Sequence, residues 1–403
     1  MKQLFLATIF CLLSISVNAQ EHRPPMPLKG DFGFGSGSEP GLKVQGQGQS
    51  QSSEFKSEGE KPLKPNAAWR KISRRKDVKF LKSDEAARVA EQVMLYQRVT
   101  GGWPKNIDFA RQMTEQEKAD VRADYNREDD STTDNNATNV EMTFLARMYN
   151  ATGKAEYRDA VARGIKYLLS GQYDSGGWPQ FWPVMKGYQK HITYNDDAMA
   201  NTIMLLRNIR DGVEPYNNDI ADAALKDRVA TAIDKAIDCI LKTQIVYNGE
   251  LTVWCQQHYP DTYLPAPARA YELPSFCSQE SALLVSLLMD VKNPSEAIKK
   301  SVDAAIRWFE KYKITGIQVR RSPGKNGKWE TELREDPSAT EPLWARFYDL
   351  QNCQPFFCDR DGVPRKRLDE IGEERRNGYS WYNRKALELN IFEKYRRWLK
   401  ENQ

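Results

Sequence analysis

The chain has 403 residues, with 59 basic and 55 acidic side chains and a formal charge of +4. That length suits one large domain or two smaller ones. The near-balanced charge and the lack of a long basic run exclude a nucleic-acid footprint.

Residues 1–19 read as a secretory signal peptide. Lys2 supplies the positive end, Leu4 to Val17 the apolar run, and Val17-Asn18-Ala19 a cleavage site after Ala19. The run is shorter than the roughly 20 apolar residues of a membrane span. The mature protein is therefore expected to be soluble and exported, secreted or periplasmic, in an oxidising space. Five cysteines remain after cleavage: Cys239, Cys255, Cys277, Cys353 and Cys358. An odd number leaves at least one unpaired within the chain, and buried free thiols are the simpler reading. Residues 20–65 are rich in Gly, Ser, Gln and charged residues and are expected to form a disordered linker. The folded domain is expected over 66–403, starting near Ala67-Ala68-Trp69.

A weak repeat follows. Gly101-Gly102-Trp103-Pro104 and Gly176-Gly177-Trp178-Pro179 match, Val253-Trp254 sits in a similar place, and Gln97, Gln172 and Gln244 precede them. A period of this length implies one supersecondary unit per repeat, here a pair of helices. Apolar spacing predicts helices over 84–99, 137–150, 156–170, 197–210, 228–245, 278–291 and 295–312. Strand signals are thin, limited to pieces such as Ile314 to Val319. The expected fold is all-α: a toroid of helical hairpins, about three pairs, with short strands and long loops around a cleft. Segments 134–150, 196–210 and 278–291 are assigned as inner helices, and 156–170, 228–245 and 295–312 as outer ones.

Asp134 precedes one inner helix, and Asp196 and Asp197 precede the next. Each reads singly as a helix cap. If the inner helices run the same way, however, their N-termini meet, and Asp134 and Asp196 can share an ion. Calcium suits such hard carboxylate oxygens. Arg269, Arg346 and Arg360 each read singly as ion-pair arginines, with Asp359 or Asp361 as local partners for Arg360. Together in polar, aromatic-containing loops they suit a polyuronate, because guanidinium forks match carboxylates. Trp103, Trp178 and Trp182 read as loop-packing anchors, and Tyr379, Trp381 and Tyr382 as residues near the cleft.

These motifs resemble polysaccharide lyase family 10, the pectate lyases, over roughly residues 66–400. The resemblance is carried, in family order, by Thr-Asp-Asn at 133–135, Tyr-Asn-Asp-Asp at 194–197, Pro-Ala-Arg-Ala-Tyr-Glu at 267–272, Trp-Ala-Arg-Phe-Tyr at 344–348 and Arg-Asp-Gly at 360–362. It implies an (α/α) toroid and a monomeric, calcium-assisted enzyme that cleaves polygalacturonate by β-elimination. By motif, Asp134 and Asp196 would hold calcium, Asn135 would lie beside the substrate, and Arg269 and Arg346 would bind uronate carboxylates. Arg360 would be the base, and Arg375 and Tyr379 would be further substrate contacts. The charged stretch 322–335 is an expected departure in one cleft wall. Two alternatives stay open: a glycoside hydrolase using two carboxyl groups from Asp134, Asp196 and Asp197, and a non-catalytic polyuronate-binding protein.

Overall fold

The computed structural model describes residues 66–323 and 329–402. The expected leader and linker lie outside these described residues. Eight helices of ten or more residues organise the fold: α1 Asp84–Leu95, α2 Asn139–Thr152, α3 Ala155–Ser170, α4 Ala198–Arg210, α5 Ala223–Thr243, α6 Ser278–Leu288, α7 Glu296–Lys311 and α8 Ile391–Glu401. Consecutive helices pack as hairpins, α2 on α3, α4 on α5 and α6 on α7. The inner members touch one another, α2 against α4 and α4 against α6, and so do the outer ones, α3 against α5 and α5 against α7. This is the expected all-α toroid of three hairpins, and α1 and α8 pack against its two ends.

Inner and outer helices differ as their sequences require. In α6 every residue except Gln279 is buried, as a helix walled in on all sides must be. In α7 the apolar face Ile298, Val302, Ala305, Ile306 and Phe309 is buried, while Lys300, Arg307 and Glu310 face water. The helix Glu115–Ala123, missing from the sequence expectation, buries no residue. It rests instead on a capping box between Thr114 and Glu117, a local signal that hydrophobic periodicity does not carry.

The repeat is a hydrogen-bonded clamp. The Nε2 of Gln97 donates to the carbonyls of Gly101 and of Ala160 on α3, both at 2.9 Å. Gln172 does the same to Gly176 at 2.9 Å and to Ala232 on α5 at 2.7 Å. Gln244 reaches Thr252 at 2.8 Å and Ser301 on α7 at 3.0 Å. Each tryptophan then donates its indole N–H to a carbonyl near the end of the preceding helix. Trp103 reaches Val93, Trp178 reaches Leu168 and Trp254 reaches Ile240, all at 2.7 Å. Trp344, which the sequence repeat does not include, makes a fourth such bond to Phe309 at 2.9 Å. These four tryptophans are among the largest fully buried side chains, and Trp182 is buried too, so they are packing anchors.

A smaller apolar cluster of Tyr271, Cys277, Phe347, Phe356, Phe357, Cys358, Leu368, Ile371 and Trp381 holds the loops between α5 and α8. Two-residue strand pairs stitch it: Phe276–Cys277 with Phe347–Tyr348, Trp344–Ala345 with Tyr382–Asn383, and Phe357–Cys358 with Pro364–Arg365. The charged stretch 322–335, expected as a departure in one cleft wall, supplies the end of the first strand and all of the second in an antiparallel hairpin, Ile317–Pro323 with Trp329–Glu335. It docks on the short helix Glu373–Gly378, where Thr331 N donates to Asn377 Oδ1 at 2.7 Å. The five cysteines among the described residues are free and buried. No helix among the described residues is long and apolar enough to cross a membrane.

The Gly-Gly turns fit only glycine. Gly101 and Gly176 have φ of +91° and +90°, and an added Cβ would lie 2.6 Å from the Arg163 carbonyl oxygen and 2.0 Å from that of Lys235. Gly249 has a similar φ of +82° but open space around it. Gly249→Ala is therefore expected to cost about 1 kcal/mol, from backbone strain alone. Gly176→Ala should cost about 3 kcal/mol or more, because α5 must also move. Urea unfolding of the two variants measures the difference, and equal losses would mean that the close approach to α5 is not constraining.

Candidate functional site

The chain enters both α2 and α4 through a tight 3-10 turn, Asp134–Asn136 and Asn195–Asp197, and the two turns pack against each other. Their backbones are left-handed at non-glycine residues: Asn135 (φ 54°), Asn136 (64°) and Thr138 (64°) in one, Asp196 (52°) and Asp197 (61°) in the other. Asn and Asp tolerate this conformation best, yet it still costs of order 1 kcal/mol each, and such strain gathers at functional sites. Neither Asp134 nor Asp196 acts as a helix cap. Thr138 and Asp197 occupy the N-cap positions, and neither side chain bonds the helix amides. Asp134 Oδ1 instead accepts from Asn135 N at 2.9 Å.

Asp134, Asn135, Asp196 and Arg269 line one polar cleft of about 120 Å³, together with Lys105, Gln180, Tyr188, Asn195, Gln257, Ala268 and Glu272. Asp134 is buried and its Oδ2 is ion-paired with the Lys105 ammonium. Desolvation raises the Asp196 carboxyl pKa. Arg346 opposes the shift and the negative charge of Asp134 adds to it. The amide oxygens of Gln180 and Gln257 are buried without a protein partner. Two carboxylates and two unpartnered amide oxygens are hard donors of the kind calcium takes, and a cation would relieve the repulsion between Asp134 and Asp196. These oxygens suit the ion by chemical type, with the Lys105 ammonium as the present partner of Asp134. No group of three or more His, Cys, Asp or Glu residues among the described residues could hold a metal, so the carboxylate count is low and ligand oxygens would have to complete the shell.

Each arginine meets a glutamate. Arg269 Nε donates to Glu272 Oε2 at 2.7 Å, and its Nη2 pairs with Oε1. Tyr379 OH donates to the same Oε1 at 2.8 Å. Burial pushes the Glu272 carboxyl up, but the bonds from Arg269 and Tyr379 outweigh it and leave the group below its usual value. Arg346 is only 3% exposed. It donates to Asn195 Oδ1 at 3.0 Å, pairs with the buried Glu280, and lies 3.7 Å from Asp196. Its guanidinium sits 4.7 Å from the Tyr379 ring centre.

Arg360 and Arg375 share one carboxylate, that of Glu374. Arg360 donates to it twice, at 3.0 Å each, and Arg375 also twice, through Nε at 2.8 Å and through Nη2. Asp359 and Asp361 are not the partners of the Arg360 guanidinium. Asp361 pairs with Arg365, and Asp359 accepts the backbone amides of Arg360 and Gly372. The Arg360 loop is thereby tied to the start of helix Glu373–Gly378. Arg269, Arg360 and Arg375 surround the buried Tyr271 ring, at 4.9, 5.9 and 4.7 Å from its centre. Arg360 itself is 64% exposed and its pKa is raised, first by the Glu374 hydrogen bond.

The cleft thus gathers Asp134, Asn135, Asp196 and Arg269, with Arg346 and Tyr379 against it, while Arg360 and Arg375 form a second cluster joined to it through Tyr271. Lys105, Gln180, Gln257, Glu280 and Glu374 were not foreseen. The repeat held a signal for two of them, because Lys105 and Gln180 both lie two residues beyond a clamp tryptophan. At the same offset the other clamps place Gln256 and Arg346. The Gln256 carbonyl accepts the amides of Tyr194 and Asn195 at 2.9 Å each, supporting the Asp196 turn.

A family model described as pectic acid lyase matches residues 97–389. Solved structures that resemble the chain include two of a family 10 polysaccharide lyase from Cellvibrio cellulosa. One is a point mutant in complex with trigalacturonic acid, 33% identical, with a TM-score of 0.69 over 82% of this chain and 97% of that one. The other shows the same identity and TM-score over 83% and 97%. No curated protein sequence gives a significant match. The chain belongs to polysaccharide lyase family 10, the pectate lyases.

Proposed function

We propose that this pectate lyase is secreted and cleaves α-1,4-polygalacturonate as a monomer by calcium-assisted β-elimination, with Arg360 as the base. The observation that carries the reading is the convergence of Asp134, Asn135, Asp196 and Arg269 on one polar cleft, from segments far apart in the chain. The trigalacturonic acid held by the similar Cellvibrio enzyme supports the substrate class.

A calcium ion held by Asp134, Asp196 and the amide oxygens of Gln180 and Gln257 would neutralise the uronate carboxylate and make the C5 proton easier to remove. Arg269 presents a second positive group to the carboxylate, and Arg346 adds positive potential beside Asp196. Asn135, exposed at the rim, offers an amide to the sugar. Arg360 takes the C5 proton. The C–H electron pair becomes the C4–C5 double bond as the C4–O4 bond breaks. O4 stays on C1 of the neighbouring unit and takes a proton from water, leaving a new reducing end opposite a 4,5-unsaturated uronide.

Arginine is almost always protonated near neutral pH, so its use as a base demands a lowered pKa. Glu374 works the other way by stabilising the charged guanidinium, whereas Arg269 favours the neutral form. A productive complex therefore has Arg360 released from Glu374, and the rate should rise toward alkaline pH.

On polygalacturonate with calcium, ultraviolet absorbance from the unsaturated product should grow and should stop on chelation. Arg360→Ala should lower kcat by about a hundred- to ten-thousandfold. New reducing ends without that absorbance would replace elimination by hydrolysis. Glu374→Gln removes the charge that raises the Arg360 pKa, so the alkaline limb of the pH–rate profile should move to lower pH. A limb that stays in place would assign the titration to another group.

A further inference from the structure

A second cavity of about 370 Å³ adjoins the reaction cleft, and Asn135 lines both. Its volume lies in the range of small-ligand pockets. The inner helices α2 and α4 form its walls, and the helix Ala67–Ile72 borders it through Trp69 and Arg70. Two of its polar side chains are only 4% exposed yet have an oxygen with no partner: Glu141 through Oε2 and Asn139 through Oδ1. Arg147 Nε is likewise buried and unpartnered, although its Nη1 donates to the Ser73 carbonyl at 2.7 Å. Native folds leave few such atoms, and each asks for an explanation. None of these groups serves the reaction described above.

We propose that this pocket is a second uronate subsite, holding a galacturonate unit of the polymer beyond the reaction cleft through Arg147, Arg70, Asn139 and Glu141. The proposal rests on the polygalacturonate reading. Three features carry it. The pocket borders the cleft at Asn135, which lines both and whose Nδ2 donates to Asn106 Oδ1 on the pocket wall at 3.2 Å. Its charge suits an anion: Arg70, Arg74 and Arg147 line it, and Glu141 is the one acidic lining residue. Burial pushes the Glu141 carboxyl up to about 7, so in a binding test at about pH 5.5 the group is mostly neutral and offers a hydroxyl donor, whereas at alkaline pH it is ionised and the three arginines must outweigh it. The unpartnered oxygens and N–H also match sugar hydroxyls, which donate and accept.

The test is calorimetric binding of trigalacturonate and hexagalacturonate to the full-length protein at about pH 5.5, below the alkaline range where Arg360 can lose its proton. Wild type should bind the hexamer about tenfold more tightly than the trimer, and Arg147→Met should reduce that preference to about twofold. Arg70→Gln, nearer the rim, is a second variant should Arg147→Met fail to fold. A wild type without length preference, or a preference that survives in every folded variant, would overturn the subsite. Length-dependent binding without unsaturated product at alkaline pH would remove the lyase mechanism and keep the subsite. Binding of neither oligomer would remove both.

Discussion

The clamp that closes each helical hairpin is the constraint on which the site depends. In three of the clamps a glutamine amide, buried for Gln97 and Gln244 and half-buried for Gln172, ties the turn to the next outer helix, and in all four a buried indole N–H satisfies a carbonyl near the end of the helix before it. These groups lie where water cannot replace their partners, so each bond is costly to lose. With the turn held, the chain has one route forward, and the residue two positions beyond each tryptophan arrives at the same end of the ring. Lys105, Gln180 and Gln256 reach the two aspartate turns in this way, and Arg346 follows the fourth tryptophan. The cleft end of the ring is thus built by repetition of a packing device.

Electrostatics separates the arginines that the repeat and the loops deliver. Arg269 is held by Glu272 and Arg346 by Glu280, and both glutamates are 1% exposed. Arg360 and Arg375 share Glu374, whose side chain is 60% exposed. A buried ion pair is expensive to break because it strands a desolvated charge, whereas an exposed one is worth little and exchanges readily. Arg346 is therefore a fixed element beside the cleft, whereas Arg269, 42% exposed, is anchored on a buried glutamate but open to the cleft. Arg360 is the arginine whose partner an anionic sugar can most easily replace, as the proposed chemistry requires.

The helical pairs were legible in the sequence because their faces are patterned. The expected helices at 84–99, 156–170, 197–210 and 295–312 correspond to α1, α3, α4 and α7, with small shifts at the ends. The hairpin at 317–335 was read only as a short strand and a charged stretch, because its strands show little buried alternation. The aspartate turns were legible as motifs, but not as strained left-handed turns. Glu374 was invisible for a different reason. It belongs to a run of charged residues that reads as a solvated helix face, and only folding brings Arg360, fourteen positions earlier, onto it.

The sequence by itself determined the class of fold, the three helical hairpins, the set of acidic and basic motifs and the family they belong to. Periodicity and short motifs are local, and local patterns survive in one dimension. Only the tertiary structure decided which of those charges face one another: that Lys105 rather than solvent meets Asp134, that Arg346 is buried against Glu280, and that Arg360 stands in the open on Glu374. Coulombic and hydrogen-bond energies depend on distance and burial, and neither quantity exists until the ring has closed.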